Sequence, residues 1–234
     1  MATGSSLRTE LRRLLDFLFP SRCVGCGLRG VDLCERCRGG IRPLEAASCP
    51  RCGRPSRLGG LCASCGRYDG PLAGIRAASA YDGVLRRAIH SFKYRQRRTL
   101  AEPLALLLEH ELARRPLLID LLVPVPLHPR RLAERGYNQS ALLAVHLARG
   151  LGASVVECLE RSRATDAQAG LKADARRANV RGAFRYTGGV DLAGRRVGIV
   201  DDVCTTGATL EDCARALREG GCASAWGIVV ARDL

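Results

Sequence analysis

An α/β fold is predicted for this 234-residue chain: a parallel sheet flanked by helices, preceded by a small cysteine-rich zinc-ribbon domain. Three observations predict it. Eight of the twelve cysteines fall as four C-x-x-C pairs in the first third of the chain. Beyond them, apolar runs of strand length alternate with segments of helical periodicity, the pattern of a parallel sheet with crossover helices. Within that region Arg196–Gly221, RVGIVDDVCTTGATLEDCARALREGG, reads as strand, acid pair, turn and helix. The expected divisions are an amphipathic helix over residues 1–20, a double zinc ribbon over 21–68 and the α/β domain over 69–234.

Residues 1–20 place Leu7, Leu11, Leu14, Leu15 and Leu18 at helical spacing. Glu10, Arg12, Arg13 and Asp16 interrupt the apolar run and no A-x-A cleavage site follows, which makes this a poor signal peptide. No run in the chain approaches bilayer length. The expectation is a cytoplasmic protein without membrane insertion, its first helix packed on its own surface.

The ribbon segment lacks apolar periodicity and is dominated by Gly, Pro and Arg, so it needs a staple in place of an oily core. The pairs Cys23/Cys26, Cys34/Cys37, Cys49/Cys52 and Cys62/Cys65 supply one. Each knuckle offers two thiolates, and two knuckles complete a zinc tetrahedron, giving two structural zinc ions. Glycine follows Cys26, Cys52 and Cys65, where a tight backbone is needed. Pairing can be local, 23/26 with 34/37 and 49/52 with 62/65, or interleaved. Disulfides are the competing staple, against which the absent signal peptide weighs. Cys158, Cys204, Cys213 and Cys222 stand alone and read as small buried hydrophobes. Cys204, between the acid pair and the threonines, is also placed where oxidation would block a ligand.

In the α/β region, 75–81 reads as a strand and 83–94 as a helix with Leu85, Ala88, Ile89 and Phe92 inward and its bases largely outward. A second helix spans 99–115, with Pro103 in its first turn. Residues 117–125 form an apolar run read as a buried strand. Pro124, Pro126 and Pro129 then stiffen a loop at the strand's carboxyl end, where open α/β sheets hold ligands, and Arg130, Arg131 and Arg135 there can meet an anion. Gly136–Gln139 opens a helix to about Gly150. Another strand is expected over 155–159 and a last one over 223–231. Residues 161–182 read as a basic loop with a helix over 174–180; either a mobile lid or a solvated loop fits that composition.

Net charge is +14 and the isoelectric point about 9.8. The bases cluster: residues 86–98 hold six and no acid, and 161–185 hold seven against two acids. Such clusters attract polyanions, either nucleic acid or phosphorylated small molecules, or else form a solvated basic surface. In the ribbons, eight thiolates with two zinc ions carry a net negative charge that offsets most of the local arginine excess.

The chemistry is concentrated in Val197–Thr209. Asp201 and Asp202 end an apolar run, and Thr205-Thr206-Gly207-Ala208-Thr209 leads into a helix. A turn of small residues lets backbone N–H groups converge with the helix's first donors, an anion cup suited to a phosphate. Acids beside such a cup suit a ligand that also carries hydroxyls or a nearby Mg²⁺: a sugar phosphate. Neither G-x-x-x-x-G-K-[ST] nor G-x-G-x-x-G is present.

VGIVDDVCTTGAT resembles the ribose-phosphate loop of type I phosphoribosyltransferases, which bind phosphoribosyl diphosphate (PRPP). Together with the cysteine pairs, IHSFKYR at Ile89–Arg95, VPVPLHPRRLAERGYNQ at Val123–Gln139, R-x-R-x-T-x-x-Q at Arg161–Gln168 and RRANVRGAF at Arg176–Phe184, the layout resembles the ComF family (ComFC/GntX-like) over nearly its full length. The resemblance implies a type I phosphoribosyltransferase-like fold, PRPP with Mg²⁺ as ligand, and a role in DNA uptake and natural competence. By position it places Asp201 and Asp202 on the ribose hydroxyls, where they would steady the cationic sugar, and Thr205, Thr206, Gly207, Ala208 and Thr209 on the ribose phosphate. Leu127, His128 and Arg130 would lie at the diphosphate loop. No segment reads as a nucleobase-binding hood. Three functions therefore compete: a phosphoribosyltransferase of unassigned acceptor, a competence factor binding single-stranded DNA, and a scaffold whose ribbons recruit a partner such as a competence helicase.

Overall fold

The computed structural model describes residues 20–44, 48–56, 59–163 and 180–234. Its centre is a five-stranded, all-parallel sheet built from β1 (Gly74–Ala80), β2 (Leu121–Pro124), β3 (Ser154–Val155), β6 (Arg196–Cys204) and β7 (Ser224–Arg232), in the order β1-β7-β6-β2-β3. A separate antiparallel pair, β4 (Leu159–Arg161) and β5 (Phe184–Tyr186), lies outside it.

Helices cover both faces, as a sheet of buried apolar strands requires. On one face pack α3 (Gly83–Tyr94), α4 (Ala101–Arg114) and α6 (Gln139–Leu151), whose Leu85, Phe92, Leu104 and Leu143 join one buried cluster with Leu122 and Val200. On the other lies α7 (Ala208–Glu219), with Leu210, Cys213, Ala214 and Leu217 against Ile199 and Val229. The two faces follow from connection handedness. Both crossovers, β2–α6–β3 and β6–α7–β7, join parallel strands and run in opposite directions along the sheet, so right-handed links place their helices on opposite sides. The adjacent carboxyl ends of β2 and β6 are thus the point where the chain direction across the sheet reverses, the usual seat of a ligand in such folds.

Several expected elements differ from those observed. Residues 117–120 precede the ladder, because Asp120 turns its carboxylate to Arg196 at 2.6 Å and β2 begins only at Leu121. The stiff loop after β2 contains a helix, α5 (Pro129–Arg135), which starts with proline at a position where the missing N–H costs nothing. The strand expected over 155–159 is two strands in different sheets: β3 closes the main sheet, and β4 pairs with β5. The acids do not follow β6; they lie within it, where Asp201 is in register with Val229. The N-terminal helix, apart from Pro20, and most of the 161–182 loop with its helix lie outside the described residues.

The ribbons pack on the sheet domain through backbone carbonyls. Residues 20–44 meet α3 and the turn after it: Arg87 Nε donates to Val24 O at 2.9 Å and Arg97 Nη1 to Arg22 O at 2.7 Å. Residues 48–56 meet β1 and its approach, with Arg76 Nη1 donating to Pro50 O at 2.7 Å and Arg51 to the carbonyls of Tyr68 and Leu72. Two single-turn helices, α1 (Glu35–Gly39) and α2 (Ala63–Gly66), follow Cys34 and Cys62.

Candidate functional site

The eight ribbon cysteines assemble into two groups with local pairing: Cys23, Cys26, Cys34 and Cys37, and Cys49, Cys52, Cys62 and Cys65. Within each, every sulfur lies within 4.8 Å of the others, and none of the eight is disulfide-bonded. Cys23–Cys34, Cys26–Cys34 and Cys52–Cys62 sulfurs are 3.7 Å apart. A tetrahedron with Zn–S bonds of about 2.3 Å has edges of about 3.8 Å, so the spacing fits zinc. Backbone N–H groups of Gly25, Cys34 and Cys62 point to cysteine sulfurs at 3.4 Å, as sulfur carrying negative charge favours. These are zinc-ribbon sites, and the interleaved and disulfide alternatives do not hold.

The second assembly lies at the carboxyl ends of β2 and β6. A cavity of about 530 Å³ opens there, lined among others by Lys93, Arg131, Arg135, Arg161, Asp201 and Asp202. A smaller one of about 210 Å³ adjoins it, formed by Thr205, Thr206, Gly207, Ala208 and Thr209 with Lys93 and Asp201. Thr209, Lys93 and Asp201 face both.

The acids are held by three elements. Asp202 is 1% exposed. Its Oδ1 takes an ion pair from Lys93 Nζ at 2.7 Å, while Oδ2 is buried without a partner among the described residues. Asp201 Oδ1 accepts from Ser140 Oγ and from the Asp202 backbone N–H, both at 2.9 Å. Burial, and next the neighbouring Asp202 charge, push the Asp201 carboxyl up to about 7, against the opposing pull of Lys93. Burial alone would lower the Lys93 pKa; the attraction of Asp202 and Asp201 outweighs it and raises it, so Lys93 is a fixed cation.

Ser140 reaches Asp201 because RGYNQ is folded as a joint. Gly136 ends α5 in the left-handed region at φ 75°, which glycine adopts without strain. Asn138 caps α6 through Oδ1, accepting from Ser140 N–H at 3.0 Å, and its Nδ2 donates to Val125 O at 3.1 Å. Tyr137 packs on Phe92 and donates its hydroxyl to the Phe92 carbonyl, fixing the carboxyl end of α3 beside the acids. The turn after β6 depends on glycine as well: Gly207 starts α7 at φ 90°, and no side chain caps the helix at that residue, although Thr206 Oγ1 accepts from Ala208 N–H at 3.3 Å. The first turn of α7 therefore offers backbone donors to the smaller cavity.

Of the residues named from sequence, Asp201, Asp202, Leu127 and Thr209 line the larger cavity, and Thr205 to Thr209 the smaller. His128 and Arg130 line neither. His128 caps α5, its Nδ1 accepting from Arg130 N–H at 3.3 Å, and Arg130 pairs with Glu134 along an exposed face. Arg131 and Arg135, on the same helix, do reach the cavity. Sequence reasoning missed Lys93, Ser140 and Arg161. Lys93 carried a signal: it lies four residues after Ile89 and next to Phe92, on the edge of the buried stripe of α3. Cys158, Cys204, Cys213 and Cys222 are all buried.

The larger assembly is a switch-point cavity with an acid pair, a small-residue turn and three arginines, and it marks an α/β domain of the phosphoribosyltransferase kind joined to zinc ribbons. Residues 14–66 match the family model of a double zinc ribbon domain, and residues 138–233 that of a phosphoribosyl transferase domain. The chain belongs to the ComF family. It is 36% identical over 216 residues to the DNA utilization protein YhgH of Salmonella typhimurium, spanning 88% of this chain and 94% of that one. It is 31% identical over 213 residues to competence protein F of Haemophilus influenzae (80% and 91%), and 28% identical over 202 residues to competence protein ComFC of Bacillus subtilis (81% and 79%). Among the described residues no helix is long and apolar enough to cross a membrane.

Proposed function

We propose that the protein is a phosphoribosyltransferase-like competence factor that binds PRPP with Mg²⁺ and acts in the uptake and use of DNA. The observation that carries this reading is the Asp201–Asp202 pair, held within β6 with Asp202 buried and followed closely by the Thr205–Thr209 turn, so that hydroxyl acceptors and phosphate donors face adjoining cavities. In this reading the ribose phosphate occupies the smaller cavity, on the donors of the α7 start and the threonine hydroxyls. The ribose hydroxyls donate to the two carboxylates, and the unpartnered Asp202 Oδ2 is an acceptor suited to one of them. The diphosphate extends into the larger cavity toward Arg131, Arg135 and Arg161. Bound Mg²⁺ would neutralise diphosphate charge.

The arrangement suits displacement at the ribose C1′: a nucleophile bonds to C1′ as the C1′–O bond to diphosphate breaks and diphosphate leaves with the electron pair. The arginines would stabilise the leaving group and the acids the cationic sugar. Calorimetry with PRPP and Mg²⁺ tests the reading. Wild type should bind, and Asp201→Asn/Asp202→Asn should lose most of the affinity. Equal affinity in both proteins, or none in either, would sink it.

A second reading is favoured by a different surface. A groove of about 610 Å³ between the first ribbon and α3 is lined by Arg22, Arg86, Arg87, His90, Arg95 and Arg97, with no carboxylate in its wall. Only Arg97 among these arginines has an acidic partner among the described residues, Asp32 at 3.2 Å. A guanidinium-lined groove of this kind suits the backbone of single-stranded DNA. Affinity should then fall steeply as salt rises, and Arg86→Ala/Arg95→Ala should flatten the slope. Absence of binding at low salt would remove this reading.

A further inference from the structure

We propose that Lys93 is a positioning residue for Asp202, and that the first zinc ribbon holds it there, so that the hydroxyl acceptors of the site are set from outside the phosphoribosyltransferase match. The inference rests on the sugar-phosphate reading of the site.

Helix α3 and the turn that follows it are gripped on two sides. Toward the acids, Lys93 Nζ meets Asp202 Oδ1 at 2.7 Å, and the Phe92 carbonyl takes the Tyr137 hydroxyl. Toward the ribbon, Arg87 donates to Val24 O and Arg97 to Arg22 O, while Asp32 accepts from both Arg97 and Thr99. Val24, Cys23, Cys34 and Leu33 pack in the same apolar cluster as Leu85, Ile89 and Phe92. Gly25 passes so close to Cys37 and Val84 that a Cβ would lie 2.5 Å from the Cys37 sulfur. The carbonyls that grip α3 and its following turn therefore belong to the residues on either side of Cys23, and their positions depend on that four-cysteine group being closed. The second ribbon's contacts run instead to β1, its approach and Arg115 after α4, so the second group serves as a control.

Lys93 acts through Asp202. With one carboxylate oxygen on the lysine, the carboxyl plane is fixed and Oδ2 is left as the free acceptor. The cation also opposes the mutual repulsion of the acids and so favours the ionised pair, the stronger acceptor of two hydroxyls. A neutral side chain of similar size keeps the packing and loses both effects.

The test has a ligand arm and a ligand-free arm. Lys93→Met should weaken PRPP–Mg²⁺ binding about tenfold, the loss of one charge-assisted contact, with partial recovery in Lys93→Arg. Asp201 is faced by Lys93 on α3, Asp202 and Cys204 on β6, Arg161 on β4 and Cys213 on α7, and Asp202 also by Tyr137. Removing the one lysine should move the pH at which affinity rises upward by about one unit. A profile unmoved in Lys93→Met overturns the positioning role.

In the ligand-free arm, hydrogen exchange is followed over residues 89–95 and 199–203. Arg87→Ala/Arg97→Ala, which leaves all cysteines intact, and Cys26→Ser/Cys37→Ser should both speed exchange there. Cys52→Ser/Cys65→Ser should not, with zinc content measured in each. Equal effects from the two cysteine pairs, or none from the arginine pair, overturn the role of the first ribbon. Because this arm needs no ligand, failure of wild type to bind PRPP would count against the sugar-phosphate reading and leave the ribbon's grip on α3 decided separately.

Discussion

Lys93 Nζ sits 2.7 Å from Asp202 Oδ1 in a cavity wall where the lysine side chain is 20% exposed and the aspartate 2%. The pair joins a helix held by the first zinc ribbon to the central strand of the sheet. Breaking it by truncating the lysine leaves a buried carboxylate without its counter-ion, which costs on the order of 3–5 kcal/mol for a fully buried pair. The partial exposure of Lys93 places the expected loss at the lower end, and chemical denaturation of Lys93→Met measures it. Asp202→Asn should cost less, because the amide oxygen still accepts from the lysine.

Stability should also depend on pH through Asp201. Its folded pKa, about 7, lies above the ordinary carboxylate value, so the protonated form is favoured by folding. This contribution is fully present below the unfolded carboxylate pKa and is lost as pH rises through about 7. Wild type should therefore lose stability, relative to Asp201→Asn, between about pH 4 and pH 7. Ligand affinity should run the other way, rising as the carboxylate forms. Melting curves and calorimetry over that range check both signs.

Zinc removal should unfold the ribbons first. Segments 21–44 and 48–66 have few apolar anchors of their own, so metal binding is the larger part of their folding free energy. Treatment with a strong chelator should release two zinc ions per chain and make these residues protease-sensitive before the sheet domain melts. Survival of the ribbon fold without metal would contradict this.

Tyr137→Phe removes one buried hydroxyl that donates to the Phe92 carbonyl. The direct loss should be about 1 kcal/mol, with a further penalty from the orphaned carbonyl. A shift of the Lys93 end of α3 should accompany it, read as weaker PRPP binding. An unchanged affinity would show that the ribbon contacts alone hold that end.

Gly207→Ala tests the turn. At φ 90° a Cβ is strained whatever space surrounds it, and the nearest atom, in Ile75, is 3.7 Å away, so the effect is conformational and not a clash. A cost of about 1–2 kcal/mol is expected, together with a loss of phosphate affinity as the turn shifts. Denaturation and phosphate titration separate the two.

The parts of this protein legible in its sequence are those where chemistry is local. Four C-x-x-C pairs gave the ribbons, because each knuckle carries two ligands on adjacent turns. The run from Val197 to Thr209 showed strand, acids and threonine-rich turn, because one continuous segment holds all three. The buried face of α7 followed from a 3.6-residue period. Where local patterns served more than one structure, the reading failed. Pro129 stiffens a loop and also begins a helix, and only the cap from His128 distinguishes them. Val155 and Leu159 look like one strand, yet one is in register with Leu122 and the other with Tyr186.

The sequence by itself therefore determined that this chain carries two zinc ribbons and a strand–acid pair–turn–helix unit on a parallel sheet. The tertiary structure alone decided what surrounds the acids. Lys93, Ser140 and Arg161 come from three elements far apart in the chain, and no local pattern shows that they share a site. They meet only because right-handed crossovers bring the carboxyl ends of β2 and β6 together and the first ribbon presses α3 against them. Burial then converts that meeting into chemistry, since a lysine and two carboxylates interact strongly only where water is excluded.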